Sequence, residues 1–351
     1  MNINREELLT DLTLVKGGLS VREFIEQASC FCFQDGFVVT FNDEVACRKK
    51  VGLKITGAVQ SAPLLAILGK LEDEELEVSE NANKELEFRG KRKIFALTKE
   101  AEVFLPIDRV EVPDKWRDLP KAFIESLAMV QHCVSKDHSR FLLTCIHVHP
   151  DYMESCDNHQ AIRCQLEMPI KESILVRGTS LEPLTQLGVD QFALTKAWLH
   201  FKNQQGLVYS CRRYIEDYPD LGKLFEGKGP KVSLPKGLVQ ATERAQVFSA
   251  DKLAESTVLV TLSDDTIQVV GQGASGWYKE RKKIRYQGAK LEFLITPELL
   301  AQVSDKYEEA ILLPGKLKVK SEGWVYATVL SVPTEAVPED EEQEGDDEDA
   351  G

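Results

Sequence analysis

The chain has 351 residues, of which 43% are apolar and 28% charged, and its formal net charge is −14. This length predicts two or three domains, and the composition is typical of a soluble globular protein. No apolar run approaches the roughly 18 residues that a membrane-spanning helix needs. The N-terminal residues lack the basic and apolar regions of a secretory signal. We therefore expect neither a membrane protein, a secreted disulfide scaffold, a fibrous repeat nor a fully disordered chain.

The order of predicted elements repeats three times, at intervals of about 115 residues. A first amphipathic helix is predicted after Asn4, Leu119 and Leu234, because apolar residues recur there at helical spacing. A second helix is predicted halfway through each repeat, and each is marked by a proline at its start: Pro63, Pro183 and Pro297. Alternating apolar residues predict strands after these helices, at residues 75–78, 193–199 and 317–320. The repeats predict an α+β fold of three tandem domains, residues 1–113, 114–232 and 233–332.

The C-terminal residues 333–351 differ from the rest of the chain. They contain ten Asp and Glu residues and no Lys or Arg. Such a segment has too little apolar surface to offset its chain entropy, which predicts an acidic disordered tail. A solvating tail is the simpler interpretation. The alternative is an electrostatic gate that competes with acidic ligands for a basic surface.

Eight cysteines are scattered along the chain, and no Cys-x-x-Cys pair occurs. Cysteines without a pairing pattern favour a reducing compartment, so we expect a cytoplasmic protein. The run Cys30-Phe31-Cys32-Phe33 alternates as in a buried strand, with both thiols on one face.

An enzyme is the main alternative from another functional class. His147 and His149 alternate on one predicted strand face, with Cys133 or Cys145 nearby in sequence, but this spacing fits no common metal site. Cys156 and His159 suggest a thiol nucleophile with its base, but residues only three apart on a turn rarely achieve that geometry.

The glycine-rich residues 271–276 resemble a phosphate-binding loop only superficially. They lack the Lys-Ser/Thr ending and a following helix, and Trp277 begins a predicted strand. These features favour a hairpin loop.

Three stretches of the chain resemble the bacterial-type DNA sliding clamp, the beta subunit of the replicative DNA polymerase. The first comprises residues 123–128, 134–137 and 139–144, followed by Cys156-Asp157-Asn158-His159-Gln160-Ala161 where the family usually has Asp-Gly-His-Arg-Leu. The second is Tyr218-Pro219-Asp220, and the third runs from residue 234 to 249 and then to the strand at 325–330. The resemblance covers nearly all of residues 1–332, weakly in the first third.

The resemblance implies three clamp-type domains, each with two helices packed on antiparallel sheets, and a ring formed by a head-to-tail homodimer. It implies a processivity factor with no catalysis and no cofactor or metal. Its partners would be double-stranded DNA, bound without sequence preference, the replicative polymerase and a clamp loader. The departures and the acidic tail are more similar to a phage or divergent member, which would act in the host cytoplasm. A clamp-fold interaction scaffold without DNA retention is the alternative.

The resemblance and the repeats together suggest cations that face DNA, since phosphate contacts give sequence-independent affinity. The candidates lie on or beside the predicted helices: Arg5, Lys16, Arg22, Lys70, Lys121, Lys136, Arg177, Lys236, Arg244 and Lys252. The competing interpretation for each is an ordinary solvated surface charge.

Two further sets of residues follow from the resemblance alone. The ring interface is assigned to Phe95 and Leu97 against Val247 and Phe248, with internal core as the competing interpretation. The pocket for partner peptides is assigned to nine positions: Arg140, Leu143, Cys156, His159, Ala161, Pro219, Leu224, Ala327 and Val329. Asn158, Gln160 and Ala161 depart from the family's residues, so the pocket is expected to be wider and less basic than usual.

Overall fold

A computed structural model describes residues 1–22, 24–249 and 257–331 of the chain. The chain divides into two compact units. The first consists of Met1–Asn158 with Ile162–Pro219, and the second of His159–Ala161 with the residues from Asp220 onward. Within the described residues, no helix is both long and apolar enough to cross a bilayer.

The first unit contains four of the described α-helices: α1 (Arg5–Leu14), α2 (Ser61–Leu68), α3 (Phe123–Val130) and α4 (Gly178–Leu181). Its strands are β1 (Asn2–Asn4), β2 (Cys30–Gln34), β3 (Phe37–Phe41), β4 (Val45–Lys50), β5 (Gly57–Gln60), β6 (Glu75–Glu80), β7 (Leu86–Arg89), β8 (Ile94–Leu97), β9 (Lys99–Glu100), β10 (Arg117–Asp118), β11 (Cys145–Val148), β12 (Tyr152–Cys156), β13 (Gln160–Gln165, which begins in the second unit), β14 (Ile174–Arg177), β15 (Val189–Leu194), β16 (Trp198–Asn203) and β17 (Val208–Arg212).

A nine-stranded antiparallel sheet forms the centre of the first unit, in the order β10-β15-β16-β17-β4-β3-β2-β5-β9. It joins strands of the first predicted repeat to strands of the second, because β4 pairs with β17. In this pairing Arg48 lies opposite Val208 and Ala46 opposite Ser210. We call the β4–β17 pairing the junction. It explains why residues assigned to two predicted domains form one compact unit.

A four-stranded sheet in the order β1-β6-β7-β8 lies elsewhere in the first unit. Strand β8 is at its edge, and the hairpin from β7 closes with a bond from the Gly90 amide to the Lys93 carbonyl. Bonded and non-bonded pairs alternate in an antiparallel ladder. Phe95 is therefore bonded to Phe88, whereas the backbone N–H and C=O of Ile94 and Ala96 point away from β7. Among the described strands, β8 pairs only with β7.

The helices of the first unit pack through short apolar stripes. Helix α1 begins at Arg5 because the Asn4 side chain accepts a 3.0 Å bond from the Glu7 amide. Its Leu8 and Leu12 are buried. The Arg5 side chain donates to the Leu68 carbonyl at the end of α2, which fixes α1 against α2.

The second unit contains the helices α5 (Gly222–Phe225), α6 (Leu238–Ser249) and α7 (Pro297–Lys306). Its strands are β18 (Lys231–Ser233), β19 (Val258–Ser263), β20 (Thr266–Gly273), β21 (Gly276–Lys283), β22 (Leu291–Ile295), β23 (Glu309–Leu313), β24 (Lys316–Ser321) and β25 (Trp324–Val329). One sheet has the order β21-β20-β19-β22, and another contains β25-β24-β23-β18. Helix α6 packs so closely on β20 that a Cβ at Gly271 would lie 1.8 Å from the Ala245 carbonyl oxygen.

Most of the predicted elements are confirmed. A helix follows Asn4, Leu119 and Leu234, α2 contains Pro63, and α7 carries Pro297 in its first turn. At Pro183 the structure has a 3₁₀ helix, Glu182–Gln186, which follows α4 in place of the predicted amphipathic helix. All four residues of the run from Cys30 to Phe33 are buried in β2. The glycine-rich residues 271–276 belong to the β20–β21 hairpin, with Gly273 opposite Gly276.

One strand prediction is wrong in its extent. Residues 193–199 are not a single strand, because β15 ends at Leu194 and β16 starts at Trp198. The Thr195 amide donates to the Trp198 carbonyl across the turn between them. Apolar residues alternate on both sides of the three-residue turn 195–197, so the sequence pattern resembles one continuous strand. The domain boundaries at residues 114 and 233 remain predictions.

Candidate functional site

Six of the cations proposed from the sequence have exposed side chains and form no ion pair with any described residue: Lys16, Arg22, Lys70, Lys121, Lys136 and Lys236. They lie at helix ends and in the adjoining turns rather than in the middle of helices. Lys121 precedes α3, for example, and Lys236 precedes α6. Their charges are not neutralised by neighbouring carboxylates, so they are available to an anionic ligand.

Three other cations from this set have partners within the fold. Arg5 donates to the carbonyls of Asp73 (3.0 Å) and Leu68 (3.1 Å), and its side chain is only 11% exposed. Arg177 lies 3.3 Å from a carboxylate oxygen of Glu44. Lys252 lies outside the described residues.

Arg244 on α6 is the third cation with a partner within the fold. It contacts a charged cluster on β21. Its guanidinium lies 2.6 Å from Glu280, which also contacts Lys282 at 2.8 Å and accepts a bond from the Tyr278 hydroxyl. The three donors Lys282, Tyr278 and Arg244 lower the pKa of Glu280 to about 2. Tyr278, Glu280 and Lys282 alternate along β21 and therefore share one face. This face is turned toward α6.

The proposed interface residues of the first unit lie on the edge strand β8. Phe95 stacks on the buried Phe88 ring, with ring centroids 4.7 Å apart and the planes nearly parallel. Phe95 and Leu97 are half-buried, whereas Ile94 is 58% exposed. Phe95 therefore belongs partly to the core, as the competing interpretation predicted. The outward backbone groups of its strand, β8, have no partner among the described strands.

The proposed interface residues of the second unit lie at the end of α6. Val247 is 69% exposed. The half-buried Phe248 ring packs beside Gly276, where an added Cβ would lie 3.4 Å from the ring. Among the described strands β21 is also at the edge of its sheet, and Trp277 near its start is 66% exposed. Large apolar side chains in such positions are typical of a surface that another molecule covers.

The open edge of β21 is a feature that the sequence reasoning missed. Gly273 and Gly276 close a two-residue turn, so the same alternation makes Tyr278 and Glu280 bonded positions. The backbone groups of Lys279, Arg281 and Lys283 consequently point away from β20, and these side chains are exposed. The hairpin glycines together with three alternating cations were the sequence signal that could have revealed this edge.

Four of the nine proposed pocket residues belong to the first unit. Arg140 is exposed and donates a hydrogen bond to the Asn158 side chain, so one departure from the family's residues is a partner of a pocket residue. The Cys156 amide donates to the Tyr218 hydroxyl at 3.0 Å. Leu143 is half-buried and Pro219 is exposed.

The other five belong to the second unit. The His159 carbonyl accepts bonds from the Val329 amide (2.8 Å) and the Thr328 hydroxyl (3.0 Å), which joins the residues 159–161 to β25. Leu224 and Val329 are 38% and 42% exposed, whereas Ala161 and Ala327 are buried. The second unit therefore presents two apolar side chains on a surface whose backbone is fixed.

The residues of the alternative enzyme interpretation have structural partners. Burial raises the pKa of the Cys156 thiol, so the thiol stays protonated at neutral pH. The His147 ring contacts Glu154 at 2.8 Å, and Glu154 also binds Arg163. Within the described ranges, no group of three His, Cys, Asp or Glu residues could hold a metal ion.

Comparison with solved structures identifies proteins of the same architecture. The beta subunit of DNA polymerase III from Thermotoga maritima superposes with a TM-score of 0.79 at 15% identity, over 95% of this chain and 99% of that chain. The sliding clamp of Bartonella birtlesii, bound to griselimycin, gives 0.82 at 16% identity over 95% and 99%. The beta chain from Streptococcus pneumoniae gives 0.82 at 14% identity over 94% and 99%.

No protein-family model matches this chain, and no curated protein matches it. At these identities the likeness establishes the fold. The chain has the α+β sliding-clamp fold, as the sequence resemblance predicted, and its low identity fits a divergent member.

Proposed function

We propose that this protein is a DNA polymerase processivity factor, a ring that encloses duplex DNA and tethers the polymerase to it. The observation that carries the proposal is the clamp fold over 95% of the chain, with coverage of 99% of the matched clamps. A clamp holds DNA by enclosure, so it needs weak, sequence-independent attraction to phosphates rather than base contacts. The exposed cations at the helix ends, such as Lys121 and Lys236, supply such attraction.

Ring closure in this proposal pairs β8 of one copy with β21 of the next. Both are edge strands of the described sheets with outward backbone groups, and such edges tend to pair with another strand unless they are covered or protected by charge. Lys279, Arg281 and Lys283 on the exposed face of β21 are complementary to Glu77 on the corresponding face of the β6–β8 sheet, whereas Glu87 on that face already forms an ion pair with Arg89 at 3.0 Å. Phe95 and Leu97 would meet Val247 and Phe248 next to this pairing. The product is a head-to-tail homodimer.

Partner proteins, among them the replicative polymerase and a clamp loader, would dock short peptides on the nine pocket residues named above. The apolar Leu224 and Val329 are the exposed anchors of that set. Because Gln160 stands where the family usually has Arg, the expected preference is for apolar peptides with little acidic character. We place this activity in the cytoplasm, or in the host cytoplasm if the protein is viral.

Enclosure can be tested without a loader. The protein is mixed with a linear duplex that carries biotin at both ends, so that rings thread over the free ends, and streptavidin then blocks the ends. We expect the protein to co-elute with the blocked duplex at high salt, and to be released when a restriction enzyme cuts between the blocks. If the protein stays on the duplex after cutting, or stays on a duplex without streptavidin at its ends, it binds DNA by direct contacts rather than by enclosure. Either result would contradict the proposal.

The cation assignment is tested by the double variant Lys121→Glu, Lys236→Glu. We expect threading to decrease and the salt dependence of DNA association to weaken, because fewer counterions are released. The matched control is Lys171→Glu, Lys320→Glu, which changes the net charge equally at exposed lysines away from the helix ends. Equal loss in both variants would show that only net charge matters. A clamp-fold scaffold without DNA retention would show no retention even with unmodified protein.

A further inference from the structure

A cavity of about 670 Å³ lies in the first unit, beside the junction. None of the nine pocket residues lines it. We propose that this cavity is a second docking site, which binds a short amphipathic peptide of a partner protein. The peptide inserts an aliphatic or aromatic side chain and places a neighbouring carboxylate against Arg48 and Lys202.

The floor of the cavity is one face of the nine-stranded sheet. Val39, Arg48, Val208 and Lys202 form a row across β3, β4, β17 and β16, because each lies opposite the next in the register. Adjacent strands are about 4.8 Å apart, so Arg48 and Lys202 stand roughly 10 Å apart with the apolar Val208 between them. A side chain seated over Val208 would have a cation on either side.

The two cations lack carboxylate partners. The Arg48 guanidinium lies 3.9 Å from the centroid of the Phe37 ring, and the Lys202 ammonium lies 5.6 Å from that of Trp116. Within the described part of the chain, neither forms an ion pair. Ring contacts orient a cation but leave its charge. A carboxylate that binds beside these rings would therefore form charge-assisted hydrogen bonds in a partly apolar setting.

The wall that faces the sheet is mainly apolar, and His200 on the floor is already hydrogen-bonded. The segment after β9 contributes the facing wall, with Val103, Leu105, Ile107, Val110 and Val112. His200 on the floor contacts the Ser210 hydroxyl (2.8 Å) and the Thr195 hydroxyl (3.0 Å), and burial lowers its pKa to about 4. It is neutral at pH 7 and has no ring nitrogen left for a ligand. The Glu111 carboxylate, which interacts with Thr195 and His200, also lines this end, so a second carboxylate is disfavoured there and an apolar group is preferred.

Two observations favour a peptide over a nucleic acid. Asp35, Asp108 and Glu111 also line the cavity and are exposed, so a run of phosphates or carboxylates would be repelled, whereas a single carboxylate placed between Arg48 and Lys202 would be attracted. Val112 at the rim is 77% exposed and would be covered by flanking peptide residues. Anchoring by a few side chains in an apolar pocket is a common mode of peptide recognition.

The test uses the full chain and a phage-displayed library of random 12-residue peptides as the probe. Phage are first depleted on the Val208→Trp variant, whose indole blocks the centre of the cavity between Arg48 and Lys202, and are then selected on unmodified protein. Depletion removes peptides that bind anywhere else. We expect enrichment of peptides that combine an aromatic or large aliphatic residue with Asp or Glu. No enrichment above background would overturn the proposal.

An enriched peptide is then synthesised and titrated against the variants. Lys202→Glu should weaken binding about tenfold or more, and replacing the peptide's carboxylate by an amide should cause a similar loss on unmodified protein but none on Lys202→Glu. The controls Lys171→Glu and Ile215→Trp, both at exposed sites outside the cavity, should bind normally. Each variant must have the same thermal unfolding temperature as the unmodified protein. Unweakened binding to Lys202→Glu would contradict the carboxylate assignment.

Trp116 supplies a local signal for the same titration. Because it lines the cavity, peptide binding should change tryptophan fluorescence, and Trp116→Phe should remove that change. N-acetylphenylalanine serves as a one-residue probe. If it binds as tightly as the peptide, the site takes small aromatic carboxylates, and the peptide assignment is wrong.

Discussion

The junction and the edge strand β8 use the same interaction in opposite ways. At the junction, β4 and β17 pair within the chain, and β4 has a neighbour on each side. On β8, the backbone groups of Ile94 and Ala96 point away from the only described strand that pairs with it. A closed pairing fixes the fold, whereas an open edge is a site where another strand can add. The pairing of β4 with β17 therefore belongs to the folded chain, and we expect the edge of β8 to serve the proposed assembly.

The largest expected effect comes from proline in the junction. Ala46 is the second residue of β4, and this strand lies between β3 and β17. Ala46→Pro removes a backbone donor from a central strand and should cost about 3 kcal/mol or more of the free energy of unfolding. Denaturant unfolding followed by circular dichroism measures it. A loss below 1 kcal/mol would contradict the central placement of β4.

The matched substitution on the edge should leave the fold intact and break the assembly. Ala96→Pro removes an outward-pointing N–H, which an edge strand tolerates. We expect normal unfolding of the chain and a shift from dimer to monomer in analytical ultracentrifugation. Phe248→Asp should have the same effect from the opposite surface, since a buried unpaired charge costs several kcal/mol.

Three results with Ala96→Pro and Phe248→Asp would contradict the assignment of the edge or of its partner surface. If the Ala96→Pro protein stays dimeric, β8 is not the pairing edge. If the Phe248→Asp protein stays dimeric, the end of α6 is not the opposite surface. If Ala96→Pro unfolds the chain, the register of β7 and β8 is shifted by one residue, because a one-residue slip exchanges inward and outward backbone groups.

The contrast between junction and edge also marks how far the sequence could predict the fold. Local patterns gave the helix starts, because prolines and apolar spacing act over a few residues, as in α7 with Pro297. The pairing of β4 with β17 could not be predicted, since residues 45–48 and 208–211 are distant in sequence and nothing local specifies the partner. The site residues show the same division between what local patterns predict and what only the tertiary fold determines. Lys121 and Lys236 followed from helix starts, whereas the ion pair of Arg244 with Glu280 depends on a tertiary contact.

Acid should weaken the junction at a moderate pH, and the responsible group is His200 beside Ser210. Its pKa is about 4 in the folded chain, against about 6.5 in the unfolded one. The unfolded chain therefore binds the proton first. The contribution is complete above pH 6.5 and is lost as the pH falls to about 4, by at most about 3 kcal/mol.

Unfolding free energies measured between pH 7 and 4 test this expectation. His200→Gln should flatten the slope in that window, because glutamine can keep hydrogen bonds to the hydroxyls but does not titrate. His138→Gln is the control, since His138 is exposed. Equal slopes in His200→Gln and the unmodified protein would exclude His200 as the group.

The edge strand β21 should respond to acid later and more weakly. Glu280 has a folded pKa of about 2, below its usual value of about 4.5, because Lys282, Tyr278 and Arg244 stabilise the carboxylate. Its contribution is present above pH 4.5 and is lost as the pH falls toward 2. We expect Glu280→Gln to remove the pH dependence in this lower window only. The cluster is near the surface, so salt should reduce its effect more than that of His200. If the Glu280→Gln protein loses its stability change between pH 7 and 4 instead, the two windows have been assigned to the wrong groups.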